Sequence, residues 1–280
     1  MRFEKWQALG NDYAIVEAAE LPWELTPSRI RRLCEPHVGI SADGILVLAD
    51  AEDPAQVAEL RIFNPDGSEA ELSGNGAREA VLYLRRAGWT DAEEFAILTK
   101  AGQIRPTITG PDSASIAMGR AFVTSSDYPS GGADGTGTVQ SDGRDWAFQH
   151  VSIGNPQCVI EVGDEIEDLD LARIGPAIER SKLFPNRTNV SFVAVDGSTV
   201  RARIFERGVG ETLSSGTGAS GAAVAAVLRG ASAPITVRLD GGELTVEVSD
   251  ELDVRLTGTA SPTYRGELAP ELVEELSALG

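Results

Sequence analysis

Ser214, Ser215 and Thr217 crowd the mouth of an apolar run, in the stretch ERGVGETLSSGTGASGAAVAAVLRG from Glu206 to Gly230. Hydroxyls at such a mouth cap a helix, and Gly208, Gly210, Gly216 and Gly218 let a ligand come close to the backbone. A helix start leaves its first N–H groups unpartnered and carries a partial positive charge, so the chemistry it favours is the binding of an anion. Taken alone, the stretch reads as a capping serine before a core helix.

Its repetition changes that reading. RIFNPDGSEAELSGNGAREAVLYLRRAG, Arg61 to Gly88, aligns without a gap on RIFERGVGETLSSGTGASGAAVAAVLRG, Arg203 to Gly230, with ten identities in 28 positions. Ser73 falls on Ser215, Gly74 on Gly216, Gly76 on Gly218 and Glu69 on Glu211. Three more segments match in the same order: GNDYAIVE from Gly10 with GNPQCVIE from Gly154, ADGILVL from Ala42 with TNVSFVAV from Thr188, and GQIRPTITG from Gly102 with GELTVEVSD from Gly242. Four ordered matches about half a chain apart imply two structural copies.

Each copy must then position its hydroxyl in the same way. A Gly-Asn turn leads into an apolar strand, followed by a helical region (Thr26 to Glu35; Asp168 to Arg180), further strands, and the Ser-Gly-x-Gly-Ala helix. That helix is apolar around most of its circumference and should be surrounded by its own sheet. The polar, glycine-rich stretch Ser125 to Arg144 reads as an exposed loop, and APELVEELSALG at the end as a short surface helix. Two such copies facing each other would bring Ser73 and Ser215 to opposite sides of one ligand, which suits chemistry on both faces of one carbon.

Composition narrows the function classes. With 280 residues, 42% of them hydrophobic, the chain can bury one large core or two smaller ones. No signal peptide and no apolar run of about 20 residues is present, so a soluble cytoplasmic protein is expected. A net charge of −19 argues against nucleic acid and anionic membranes as partners. Cys34 and Cys158 are too few for a disulfide framework, and no Cys/His cluster has metal-site spacing, so no metal is expected.

The motifs LGNDYAIVE, GISADGILVL, RIFNPDGSEAELSGNGAR, IGNPQCVIEV and FERGVGETLSSGTGASGAAVAA together resemble the diaminopimelate epimerase family, from the first residues to about Gly266. The resemblance implies an α+β fold of two pseudo-symmetric domains, each a curved, mostly antiparallel sheet wrapped around a central helix, over 1–118 with 262–280 and over 119–261. It implies interconversion of LL- and meso-diaminopimelate without a metal or other cofactor, by a homodimer. By the same resemblance Asn64, Asn155, Asn189 and Arg207 would hold the distal end of the substrate, with Arg207 forking onto its carboxylate. Asn11 and Glu206 would address the reacting end, and Gly74–Asn75 and Gly216–Thr217 would offer backbone N–H groups to the reacting carboxylate.

Three positions depart from the family pattern. Its two catalytic cysteines are Ser73 and Ser215 here, and its histidine is Gln157. A thiol ionises near pH 8.5, whereas an aliphatic alcohol, like water, ionises only far above that. A gap of even ~5 units costs ~7 kcal/mol, against roughly 0.3–2 kcal/mol from a helix N-terminus. The helix start alone therefore cannot turn either serine into a base. Glu206 is the strong candidate, with Glu69, Glu71 and Glu211 farther off; Cys158 reads as core, and Glu79, where relatives often carry a cysteine, has no assigned role. Three explanations stay open: a Cys→Ser trap, which Gln157 speaks against; a branch whose proton chemistry runs through Glu206, on diaminopimelate or in another isomerisation; and an inactive relative that binds diaminopimelate or a similar amino acid.

Overall fold

The computed structural model describes residues 1–279. In chain order the elements are β1 (Arg2–Ala8), β2 (Asn11–Glu17), α1 (Pro27–Cys34), β3 (Ile45–Ala49), β4 (Gln56–Phe63), β5 (Glu69–Ala70), α2 (Gly74–Ala87), β6 (Ala96–Thr99), β7 (Gly102–Ile104), β8 (Thr107–Gly110) and β9 (Ser113–Arg120). They continue as β10 (Thr136–Ser141), β11 (Arg144–Ser152), β12 (Pro156–Glu161), α3 (Leu171–Glu179), β13 (Asn189–Asp196), β14 (Thr199–Glu206), β15 (Gly210–Thr212) and α4 (Gly216–Leu228). The chain closes with β16 (Ile235–Leu239), β17 (Gly242–Val248), β18 (Asp253–Thr259), β19 (Ser261–Glu267) and α5 (Pro270–Ala278). These form two compact units, 1–116 with 258–280 and 117–257.

The internal repeat is carried in the strand pairing. In the first unit the order is β19-β1-β2-β3-β4-β6-β7, with β2∥β3 and β4∥β6 parallel and the other pairs antiparallel. In the second, β11-β12-β13-β14-β16-β17 repeats that pattern, with β12∥β13 and β14∥β16 parallel, and β10 and β18 extend the two ends. Even the short strands correspond, β5 on β4 and β15 on β14.

The helix inside each unit starts where its serine can cap it. Ser73 Oγ accepts the Gly76 N–H at 3.1 Å and Ser215 Oγ accepts the Gly218 N–H at 3.3 Å, both serines having extended backbone. At the far end of α2, Gly88 adopts φ 81°, the left-handed stop that glycine takes without strain. Helix α4 has no polar face, as expected for a helix enclosed by sheet: Ala219, Ala222, Ala223 and Val224 are fully buried, and β11, β12, β13, β14, β16 and β17 all lie against it. Helix α2 packs on β1, β2 and β3 through a core that includes Leu46, Leu60, Ala80, Val81 and Leu84.

Two elements differ from expectation. Ser125–Arg144 is not one exposed loop, because Thr136–Ser141 is strand β10, paired to β11, and Tyr128 and Val139 are core residues. Glycine disguised the strand: a β-carbon on Gly137 would lie 2.2 Å from Tyr128 Oη and 2.7 Å from the Phe148 ring, so aromatic packing excludes any side chain there. The terminal helix α5 is more than a surface helix. Leu276 is fully buried, and the buried Arg29 of α1 donates to the carbonyls of Leu276 (2.8 Å) and Ser277 (3.2 Å).

Candidate active site

In the first unit the half-site is built on the first turn of α2. Ser73 Oγ receives the Tyr13 O–H at 3.3 Å besides the Gly76 N–H. Tyr13 is buried on β2, and its ring lies close to Gly44, where a β-carbon would fall 2.5 Å from Cε1. Beside the serine runs a side-chain chain: Arg78 donates to Asn75 Oδ1 (2.7 Å), Asn75 to Asn11 Oδ1 (3.2 Å), and Asn11 to Asp43 Oδ2 (2.9 Å). The predicted Asn11, Gly74 and Asn75 thus share one corner with Ser73. No carboxylate sits in the first turn of α2, which leaves its positive end open to an anion.

Behind that turn lie two buried ionisable side chains. Arg78 is completely buried, and burial brings its pKa down to about 10 although Glu79 opposes the shift. Burial pushes the Glu79 carboxyl well above its ordinary range, with Asp12 and Asp43 adding repulsion and Arg78 pulling the other way. The Tyr13 N–H gives the carboxyl weak support without reaching hydrogen-bond geometry, and among the described residues neither Glu79 oxygen has a hydrogen-bond partner.

The second half-site is built on the first turn of α4. Burial raises the Glu206 carboxyl above its usual range, while hydrogen bonds from Thr212 and Ser215 partly restrain the shift. The Thr212 hydroxyl donates to Oε1 at 2.8 Å. Toward an ionised Glu206, which only accepts, the Ser215 hydroxyl is the donor. Gln157 donates to Asn155 Oδ1 (2.6 Å), and Asn155 donates to Thr217 Oγ1 (3.1 Å), which gathers three predicted residues on the same turn. Gln157 is fully buried, its Cγ held 2.9 Å from where Gly221 would place a β-carbon. Gly216 opens α4, whose first turn also lacks a carboxylate.

The distal-end residues divide. Asn189 Oδ1 holds the Arg207 backbone N–H at 2.8 Å, and the exposed Arg207 guanidinium donates to the Asn186 carbonyl at 2.8 Å. Asn64 instead closes a turn, donating to Ser68 Oγ at 3.0 Å, and no described hydrogen bond joins it to Ser73. Glu69 and Glu211 are occupied by ion pairs with Arg61 (2.8 Å) and Arg203 (2.7 Å), one in each copy. Cys158 is core, as its strand alternation implies. Among the described residues no three His, Cys, Asp or Glu side chains gather as a metal-ligand set, and no helix is long and apolar enough to cross a membrane.

Sequence reasoning missed Tyr13, Thr212 and Asp43. A signal for Tyr13 was present: in the repeat, GNDY places it on the Gln157 of GNPQ.

The comparisons with known proteins agree with this architecture. The family model described as "Diaminopimelate epimerase" matches residues 3–123 and 149–262. Diaminopimelate epimerase 2 of Nostoc sp. is 39% identical over 278 residues, covering 97% of each chain. Diaminopimelate epimerase of Synechococcus sp. is 39% identical over 281 residues, covering 96% of this chain and 98% of its own. Among solved structures, a probable proline racemase from Agrobacterium radiobacter K84 aligns with TM-score 0.69 at 15% identity, covering 97% of this chain and 95% of its own. A phenazine biosynthesis protein of the PhzF family from Bacillus anthracis aligns with TM-score 0.69 at 18% identity, covering 96% and 99%. At such identities these last two share the fold. With matches spanning nearly its full length, the chain belongs to the diaminopimelate epimerase family.

Proposed function

We propose that the chain is an amino-acid epimerase acting on diaminopimelate, with a carboxylate–serine pair in the role that thiols play in the family. The observation that carries this reading is the half-buried Glu206 carboxyl held by Thr212 and facing Ser215 at the start of α4. As Ser215 Oγ receives the substrate Cα proton, its own proton passes to Glu206, so no free alkoxide forms and the ~7 kcal/mol cost of one is avoided. A carboxyl raised toward neutrality by burial is also a stronger base than an ordinary one. The first turn of α2, beside Asn11 and Asn75, and the first turn of α4, beside Thr217, each offer backbone N–H groups to a carboxylate. Arg207, Asn189 and Asn155 hold the distal end, and Asn64 belongs to that set by motif alone. This reading places the activity in a cytoplasmic homodimer supplying meso-diaminopimelate for lysine and peptidoglycan.

Incubation with LL-diaminopimelate in D₂O tests this directly. The expected result is deuterium at Cα and meso product; absence of both at high enzyme loading contradicts it. Gln157, fully buried and unable to exchange protons, favours one second reading, binding without turnover. Calorimetry would then show binding weakened by Arg207→Ala, with no deuterium entering the ligand.

A further inference from the structure

We infer that Tyr13 is the proton source for Ser73, which makes the start of α2 a proton donor in the reaction. The inference rests on the epimerase reading. It starts from the hydrogen-bond capacity of a single hydroxyl. A serine offers one donor and two acceptor lone pairs. At Ser73 the Gly76 N–H (3.1 Å) and the Tyr13 O–H (3.3 Å) fill both acceptor positions. The only capacity left is donation of its own proton. Ser215 differs: its Oγ accepts one N–H, from Gly218 (3.3 Å), which leaves one lone pair to receive while its own proton faces Glu206. The two serines are equivalent in the sequence repeat and differ in their hydrogen bonding.

A serine that gives up its proton must be resupplied, because an isolated alkoxide is out of reach at neutral pH. Tyr13 is placed for this. A phenol ionises near pH 10, roughly five units below water, and so is far the stronger acid of the pair. The step balances: Ser73 Oγ–H delivers its proton to the substrate carbanion as Tyr13 Oη–H delivers its proton to Ser73 Oγ. Tyrosinate remains in the first half-site and a neutral Glu206 in the second, and exchange with solvent resets both. In the repeat Tyr13 occupies the position of Gln157, so each copy places one polar side chain there, and only the first copy's can give up a proton.

The ionisable groups described around this corner include Glu79, which faces the Tyr13 backbone, with Arg78, Asp12 and Asp43 acting on it; Asp12 is paired to Lys5 of β1 (3.1 Å), and the Asp43 carboxylate accepts the Asp12 N–H (3.0 Å). Burial keeps Glu79 protonated well above the usual carboxyl range, so the phenol does not face a third full negative charge there. The contact of the ring with Gly44 fixes where the hydroxyl points.

Tyr13 acts through Ser73 and is a positioning and relay residue, so its test uses readouts that a purely structural role would leave alone. With diaminopimelate isomers in D₂O, Tyr13→Phe is expected to raise the ratio of Cα exchange to inversion by about 10²-fold, because abstraction at Glu206 survives while proton delivery by Ser73 fails. Ser73→Cys in the Tyr13→Phe background should restore inversion, since a thiol of pKa about 8.5 needs no phenol behind it. An exchange-to-inversion ratio unchanged by Tyr13→Phe overturns the inference. A second readout needs no turnover. The ultraviolet tyrosinate titration of the wild-type protein, less that of Tyr13→Phe, isolates one phenol. Ser73→Ala should move its midpoint up by about half a pH unit or more as the hydroxyl that steadies the tyrosinate is lost. A midpoint unmoved by Ser73→Ala overturns the pair. If the wild-type protein exchanges no diaminopimelate at all, the epimerase reading fails while this titration still decides whether Tyr13 and Ser73 are coupled.

Discussion

At the residue scale the chemistry turns on how two hydroxyls are wired. Ser215 gives its proton to a carboxyl that burial raises and Thr212 restrains, so Cα exchange should climb with pH through a midpoint above the ordinary carboxyl range. Thr212→Val removes a hydrogen bond that favours the ionised form, and the acid limb of the pH–rate profile should move to still higher pH. An acid limb that stays in place would show that Glu206 is not the group titrating. Restoring Ser73→Cys, Ser215→Cys and Gln157→His together should raise epimerase activity by orders of magnitude; no gain would mean that the site no longer fits the substrate. At this scale the motifs drew attention to the serines, Glu206, Asn11, Asn75 and Asn155, which cluster at the two helix starts, whereas Asn64 closes a turn of its own. They could not give polarity, because donor and acceptor roles depend on the residue across the turn. For Ser73 that residue is Tyr13, about 60 positions away and met only through the pairing of α2 with β2.

At the element scale the structure rests on close approaches that sequence periodicity does not report. Gly44 before β3 touches both the Phe63 carbonyl, 2.3 Å from a would-be β-carbon, and the Tyr13 ring. Gly44→Ala is therefore expected to cost about 1–3 kcal/mol in urea unfolding and to lower inversion through displacement of Tyr13. Neither effect would appear if the loop could simply shift. Helix α5 depends on Arg29, whose guanidinium holds two of its last carbonyls. Arg29→Ala should expose residues 270–279 to proteolysis and faster amide exchange, with the rest of the first unit protected as before. Unchanged protection of α5 would show that Leu276 alone docks it. The strand pattern around α2 and α4 could be read from alternation and the repeat, but β10 could not, since its one glycine, Gly137, answers to the rings of Tyr128 and Phe148.

At the scale of the whole molecule, the repeat is the feature the sequence declared most openly, and it recurs strand for strand in the pairing of the two units. What composition hides is the ionic cost inside the fold. Glu79 is buried with its carboxyl pushed well above the unfolded value, so the folded state holds a proton there that the unfolded chain releases. Stability therefore falls as pH rises from the ordinary carboxyl range through the folded pKa. Urea midpoints measured across that range should show the decline in the wild-type protein and a flatter profile in Glu79→Gln. Parallel profiles would mean that Glu79 ionises as freely in the folded state as in the unfolded one.

The measurement that bears most directly on the central claim is Cα deuteration of LL-diaminopimelate in D₂O by the wild-type protein and by Glu206→Gln, side by side. The account predicts exchange by the wild-type protein and a loss of about 10²-fold or more in Glu206→Gln, with folding unchanged. Exchange that continues undiminished in Glu206→Gln would contradict it.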